Sequence, residues 1–171
     1  MSSIAAEVGG SKTTLWAYFP SKQDLFAAVV DDLVERYSRA LEVPLDPDAD
    51  VRESLRLIGR ALLRTIHSPP LVDLYRLTIG EAGRFPELAR TFYERGPARG
   101  KARLRDYFRE AMARGKLRSG SAFDASQHFA GMLQAGSVEQ HRLGLAEGPD
   151  EAELERELEA TVETFMRAWG A

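Results

Sequence analysis

Cysteine is absent from this chain of 171 residues, which excludes disulfides and thiolate metal sites. No uninterrupted apolar run approaches the roughly 18 residues of a membrane span, and no basic stretch followed by an apolar one opens the chain, so neither a membrane segment nor a secretory signal is expected. A cytoplasmic protein with no membrane partner follows. Histidine is scarce: His67, His128 and His141 are the only ones, and the thirteen residues between the last two do not suggest a shared face or an HExxH metal site. Asp73, Glu81 and Glu87 are scattered acids without a paired-carboxylate pattern, and no phosphate loop or nucleophile constellation is visible. The sequence therefore predicts no enzyme, no metal and no cofactor.

A large excess of one charge is lacking too. The formal net charge is -3, so no global electrostatic case for a nucleic-acid partner exists. The distribution is uneven. Between Arg99 and Arg118, the cations Arg99, Lys101, Arg103, Arg105, Arg109, Arg114, Lys116 and Arg118 face only Asp106 and Glu110; between Asp150 and Glu163, the acids Asp150, Glu151, Glu153, Glu155, Glu157, Glu159 and Glu163 face only Arg156. These segments read either as complementary surfaces, within or between subunits, or as solvated helix faces.

What the chain has in quantity is helix grammar. Ser21 with Asp24, Asp50 with Glu53, Ser121 with Asp124 and Asp150 with Glu153 each set a side-chain acceptor where orphan N–H groups need one and an acid where the helix dipole favours it. Apolar residues then recur at helical spacing, as in Leu25, Phe26, Val29, Val30, Leu33 and Tyr37, or Leu154, Leu158, Val162, Phe165 and Trp169. Pro44, Pro47, Pro69-Pro70 and Gly148-Pro149 separate the segments. The map is all-α, with helices near 2–8, 12–18, 22–42, 50–67, 71–80, 86–113, 121–143 and 150–169, and Pro97 bending or breaking the sixth. It divides into a small head over 1–42 and a helical body over 43–171.

In the head, Ile4 and Val8 share one face of a short helix, Leu15 and Phe19 share one face of the next, and Gly9-Gly10-Ser11 makes the turn between them. This is a helix-turn-helix arrangement. Pro20 ends the second helix at Phe19 and Ser21 starts a longer one. In DNA recognition such a second helix enters the major groove through its N-terminal end. Lys12, Thr13 and Thr14 are thus the candidates for base edges or adjoining phosphates, with Ser11 capping that end; Trp16, Tyr18 and Lys22 reach the backbone.

The string "IAAEVGGSKTTLWAYFPSKQDLFAAVV" closely resembles the helix-turn-helix of the TetR family of transcriptional regulators, through Ile4, Ala5, Gly9, Ser11, Thr14, Leu15, Tyr18, Phe19, Ser21, Lys22 and Leu25. "GEAGRFPELARTFYERGPARGKARLRDYFREAMARGKLR" and "DASQHFAGMLQAG" resemble the C-terminal ligand-binding and dimerisation domain of AefR-like members. The resemblance implies a helix-turn-helix followed by a TetR-type bundle, and a repressor that binds double-stranded operator DNA as a homodimer and is released by a small-molecule effector. Val8, Gly10, Thr13 and Trp16 depart from the usual pattern. The family also carries another helix before this motif, for which the sequence supplies no residues. The head is accordingly expected to be truncated and to bind DNA weakly, and the alternative reading is a ligand-sensing dimeric module without effective DNA binding.

Within that arrangement the segments near 50–113 enclose the effector, with Leu62, Ile66, Leu74, Tyr75, Phe92, Tyr93, Tyr107 and Phe108 as candidate lining groups. Helical spacing explains the same residues as continuous core. Phe129, Met132, Leu133, Val138, Leu154, Leu158, Val162, Phe165 and Trp169, on the last two expected helices, are the candidates for an isologous four-helix dimer interface, with Gly131 and Gly136 permitting close approach.

Overall fold

A computed structural model describes residues 12–41, 43, 45, 46 and 48–171. The expected helix near 2–8 with Ile4, Ala5 and Val8, the Gly9–Ser11 turn, Pro44 and Pro47 lie outside the described residues, as do the side chains of Lys12, Leu15 and Tyr37. Among the described residues the chain forms nine helices: α1 Lys12–Tyr18, α2 Lys22–Leu41, α3 Val51–Ile66, α4 Pro69–Glu81, α5 Pro86–Arg95, α6 Pro97–Ala113, α7 Ala122–Met132, α8 Ser137–Leu143 and α9 Glu151–Trp169. The one β feature among them is an isolated antiparallel bridge between Leu117 and Gly170. The fold is all-α.

All four anticipated caps form. The hydroxyl of Ser21 accepts the Asp24 N–H at 3.1 Å, Asp50 accepts from Glu53 at 3.1 Å, Ser121 from Asp124 at 3.1 Å and Asp150 from Glu153 at 2.8 Å. Each satisfies a first-turn donor that the helix cannot. Prolines open α4, α5 and α6 within the first two positions, where a missing N–H costs nothing. Two expected helices are each divided. The 86–113 segment breaks at Gly96, whose φ of -109° and ψ of -90° leave the helical region just before Pro97. The 121–143 segment stops at Met132 and restarts at Ser137, because Gly136 adopts a φ of +72° that side-chain-bearing residues rarely tolerate.

The larger core lies among α3, α6, α7 and α9. Phe108 stacks on Phe165 with centroids 4.9 Å apart, and Phe129 meets both rings edge-on at 6.2 and 5.3 Å. At Gly59 on α3 a Cβ would come within 2.5 Å of a Leu158 methyl on α9, so the missing side chain sets how closely these two helices approach. The same pair is laced from outside by a ladder: Arg52 with Glu163, Arg56 with Glu159, Arg60 with Glu155 and Arg64 with Glu151. Arginines four apart on one helix meet glutamates four apart on an antiparallel one. These arginines hold the carboxyls of Glu155, Glu159 and Glu163 below the usual carboxylate range, chiefly by hydrogen bonding.

The acidic stretch of the sequence thus finds its partners on α3, not in the basic stretch of residues 99–118. That basic stretch fastens the connection between α2 and α3: Arg103 donates to the Val43 carbonyl, Arg114 pairs with Asp48 at 3.1 Å and Lys116 donates to the Ala49 carbonyl at 3.0 Å. A second, smaller core joins α2 to the body. Phe26 and Val30 of α2 and Leu74 of α4 are buried together, with Leu33, Leu88 and Phe92 half-buried around them.

Candidate functional site

The exposed N-terminal surface follows from one proline and one serine. Pro20 and Ser21 separate α1 from α2, and Ser21 caps α2 while donating to the Asp24 carboxylate at 2.7 Å. Thr13, Thr14, Trp16, Tyr18 and Lys22 are exposed, Tyr18 to 77% and Trp16 to 38%, whereas Phe19 is half-buried. Hydroxyl, indole N–H and ammonium donors therefore share one end of the molecule, the donor set that phosphates accept from. Ser11 lies outside the described residues, and Lys12 is placed only as the first residue of α1.

The eight candidate effector-lining residues divide between two regions. Leu74, Tyr75 and Phe92 come together beneath α2, with the Tyr75 and Phe92 rings 6.4 Å apart and nearly perpendicular. Tyr107 and Phe108 belong instead to the larger core, and Leu62 and Ile66 pack against it. The Tyr107 hydroxyl is buried without a hydrogen-bond partner, and burial pushes its pKa up. Tyr93 is 50% exposed, with the Lys101 ammonium 5.8 Å from its ring centroid. One α5 residue of the eight, Phe92, thus turns inward and the next turns out, as helical geometry requires of neighbours.

The lobe formed by α2, α4 and α5 has a small core. No residue of α5 is fully buried, although the helix is amphipathic. Polar ties hold it to α2: Gln23 donates to Glu87 at 2.9 Å, and Arg95 pairs with Asp31 and donates to the Ala27 carbonyl at 3.2 Å. Two surface grooves, of about 550 and 250 Å³, lie along α3 and the segment before it, lined by residues such as Val51, Lys116 and Met166 or Ser54, Arg56 and Leu57. Neither contains any of the eight candidates.

Sequence reasoning did not foresee a polar cluster on α8. The guanidinium of Arg142 lies 3.8 Å from the Tyr75 ring centroid, its Nη1 donates to Gln134 at 3.0 Å, and its Nε is buried without a hydrogen-bond partner. Burial pulls its pKa down and only Tyr75 opposes the shift. Beside it the Nδ1 atoms of His67 and His141 lie 3.0 Å apart, and Ser137 stands 3.3 Å from His67 Nε2 while donating to Glu157 at 2.6 Å. No spacing rule could have found it: His67 is 74 residues from His141, and α3 and α8 bring them together through the tertiary fold.

The nine dimer candidates also have definite places. Phe129, Leu133, Val138, Leu154, Leu158, Val162, Phe165 and Trp169 are buried in the chain's own core, with Met132 packed against it. Their helical periodicity reports the inward faces of α7 and α9. Gly131 and Ala135, and Ala160, Thr164 and Ala168 four apart along α9, are small residues among the exposed ones of the same segments.

Comparison with known proteins agrees with this architecture. Residues 53–171 match the family model of the C-terminal domain of AefR-like transcriptional repressors, and residues 1–29 match that of bacterial regulatory proteins of the tetR family. Among solved structures, the flavonoid-responsive regulator FrrA is 36% identical with a TM-score of 0.81, covering 99% of this chain and 86% of that one. A putative TetR-family regulator from Mesorhizobium loti is 28% identical with a TM-score of 0.78 and the same coverage of 99% and 86%. The nucleoid occlusion factor SlmA of Vibrio vulnificus is 29% identical over 137 residues, which is 80% of this chain and 67% of that protein. On the match of its body and its head together, the chain belongs to the TetR family of bacterial transcriptional regulators, with an AefR-like C-terminal domain.

Proposed function

We propose that the protein is a one-component repressor that binds operator DNA as a homodimer and is released by a small-molecule effector. The family is one of non-catalytic DNA-binding regulators; the release mechanism and the residues that serve it are the proposal. The observation that carries it is the seat of α2. One helix runs from the capping serine beside α1 directly into the lobe built on this small core, through Phe26 and Val30 against Leu74. A molecule that completes this lobe pushes on the helix that carries the DNA-reading end. Release then follows from a difference in affinity between two positions of α2.

The likeness to a flavonoid-responsive regulator supports an aromatic effector, for which Tyr75 and Phe92 offer ring surfaces. DNA contact falls to Ser11, Lys12, Thr13 and Thr14 at the N-terminal end of the reading helix, with Trp16, Tyr18 and Lys22 on the phosphate backbone. Dimerisation uses the exposed faces of α7 and α9, where Gly131, Ala160, Thr164 and Ala168 are small enough for a second copy to approach closely. Selection from a random duplex library, followed by mobility-shift titration, tests the DNA reading. Selected sites with two-fold symmetry and half-site centres about 34–36 Å or a multiple apart are expected. Lys22→Ala then weakens binding uniformly and lowers the salt slope by about one. A library that yields no enriched sequence would sink the repressor reading.

A further inference from the structure

Arg142 is an unusual residue to find where it is. Among the described residues no carboxylate lies within ion-pair distance of it, while the neighbouring Arg76 has Asp73 at 3.6 Å. Its polar company is neutral: one Gln134 oxygen, and the face of Tyr75. Its Nε donor is buried and unused. A half-buried guanidinium with no anion and a spare Nε donor kept from water is an incomplete site, because its charge and its fork geometry both suit a planar oxyanion. The surrounding elements hold it there firmly. Arg76 donates to the carbonyls of His141 at 2.6 Å and Arg142 at 2.8 Å, which pins the C-terminal end of α8 against α4.

The position of Tyr75 gives the charge its meaning. Its ring is a shared wall: Arg142 covers one face at 3.8 Å, and Phe92 approaches it nearly perpendicularly at 6.4 Å, beside the Leu74, Phe26 and Val30 cluster. The unused donor is therefore one ring away from the apolar lobe beneath α2. We propose that Arg142 is the anion-binding residue of this lobe and that the effector is an aromatic organic acid, its ring beside Tyr75 and Phe92 and its acid group on the guanidinium. This rests on the reading of the lobe as the effector site. An acid seated there exchanges the cation–π contact and the vacant Nε for a charge-assisted bidentate pair. The side chain that gains the new partner leans on α4, which shares the small core with α2.

The test is a calorimetric titration of the purified dimer with matched pairs of probes, aromatic carboxylates of one to three rings and their isosteric primary amides. Each pair shares ring and shape and differs in charge. At least one carboxylate is expected to bind about tenfold or more tightly than its amide, and Arg142→Gln to bring the pair within about threefold while leaving the amide's affinity in place. Arg142→Lys, which keeps the charge without the planar fork, retains part of the preference and guards against a variant that loses affinity by misfolding; circular dichroism checks both. Amides that bind as tightly as their acids, or a preference that survives in Arg142→Gln, overturn the assignment of Arg142 and leave the lobe as the effector site. A panel in which no member binds, acid or amide, overturns both.

Discussion

Gly59 is the residue on which the close approach of α3 and α9 depends. The Leu158 methyl that a Cβ would meet at 2.5 Å is itself enclosed, with the Phe129 ring and a Leu133 methyl 3.5 and 3.6 Å from the same point. It has little room to turn away, so adding volume forces α3 from α9. Gly59→Val is expected to lower unfolding free energy by about 1–3 kcal/mol in urea titration, the usual cost of overfilling a close-packed core. His67 carries a different liability. It shares one proton with His141 at 3.0 Å, since one Nδ1 must donate and the other accept. Burial first, then the His141 ring and the Arg142 charge, hold the His67 pKa below its ordinary value, while Glu157 acts against them.

The sign of the resulting pH dependence is fixed. As pH falls below about 6.5, the unfolded chain takes up a proton that folded His67 refuses, so unfolding gains at the expense of the fold. The contribution of His67 is complete above neutrality and is lost as pH falls toward the depressed folded pKa. Thermal melts are expected to be level above about pH 7.5 and to decline as pH falls below about 6.5, with the decline flattened in His67→Gln. A decline of equal steepness in that variant would assign the effect elsewhere. The glutamates of the α3–α9 ladder do not confuse the measurement: held below the usual carboxylate range, they lose their contribution only in more acidic solution.

At the scale of elements, what was legible in the sequence was local. The four caps at Ser21, Asp50, Ser121 and Asp150 need only a side chain and the third residue beyond it, and all four form. The break at Gly96-Pro97 was visible because proline cannot continue a helix, whereas the break at Gly136 was not, because a glycine inside an apolar period does not reveal the sign of its φ. The dimer candidates rested on the same kind of local signal. Periodicity marks a buried face and does not say what buries it, and here α3 and α6 do so within one chain. The ion-pair ladder joins residues about a hundred apart, as in Arg56 with Glu159 at a separation of 103, so composition showed the acids and not their partners.

That ladder and the tie between α2 and α5 make opposite demands on their charges. Arg56 grips Glu159 with two bonds, of 2.7 and 3.0 Å, and also reaches Glu53, but the pairs are open to solvent. Arg56→Ala is expected to cost about 1 kcal/mol or less, with the loss shrinking in high salt, as screened surface pairs do. Between α2 and α5 the polar ties are the main fastening in the proposed switch, because α5 buries no residue fully and Arg95 holds it to two points of α2, at Asp31 and the Ala27 carbonyl. Arg95→Ala is therefore expected to leave effector binding within about threefold and to weaken effector-driven release from operator DNA. Two titrations separate the effects, since coupling between sites is of the order of 1–3 kcal/mol and is lost only when the element that both sites bias is cut. Release that survives at full strength in Arg95→Ala would place the coupling in the Phe26, Val30 and Leu74 cluster alone.

For the whole molecule, symmetry decides whether a short reading helix is enough. The described part of that helix is the seven residues of α1, and the chain carries a net charge of -3, so a single head has few phosphates to hold and no general attraction to DNA. Two heads joined in one dimer multiply their affinities through the effective concentration that the body imposes. DNA binding in the proposed repressor thus depends on a surface on the opposite side of the chain from the reading helix in sequence. Thr164 is exposed midway between Ala160 and Ala168 on α9, with no core contact to lose. Thr164→Arg sets two like charges against each other across an isologous contact, where residue meets the same patch of its partner. Sedimentation is expected to shift from dimer to monomer at micromolar concentration. The melting curve of the monomer fold is expected to stay within about 0.5 kcal/mol of the parent, as for other exposed substitutions. Operator affinity should then fall by at least about a hundredfold as the second head is lost. A variant that remains dimeric would move the interface off α9, and one that becomes monomeric yet keeps its operator affinity would show that a single head suffices.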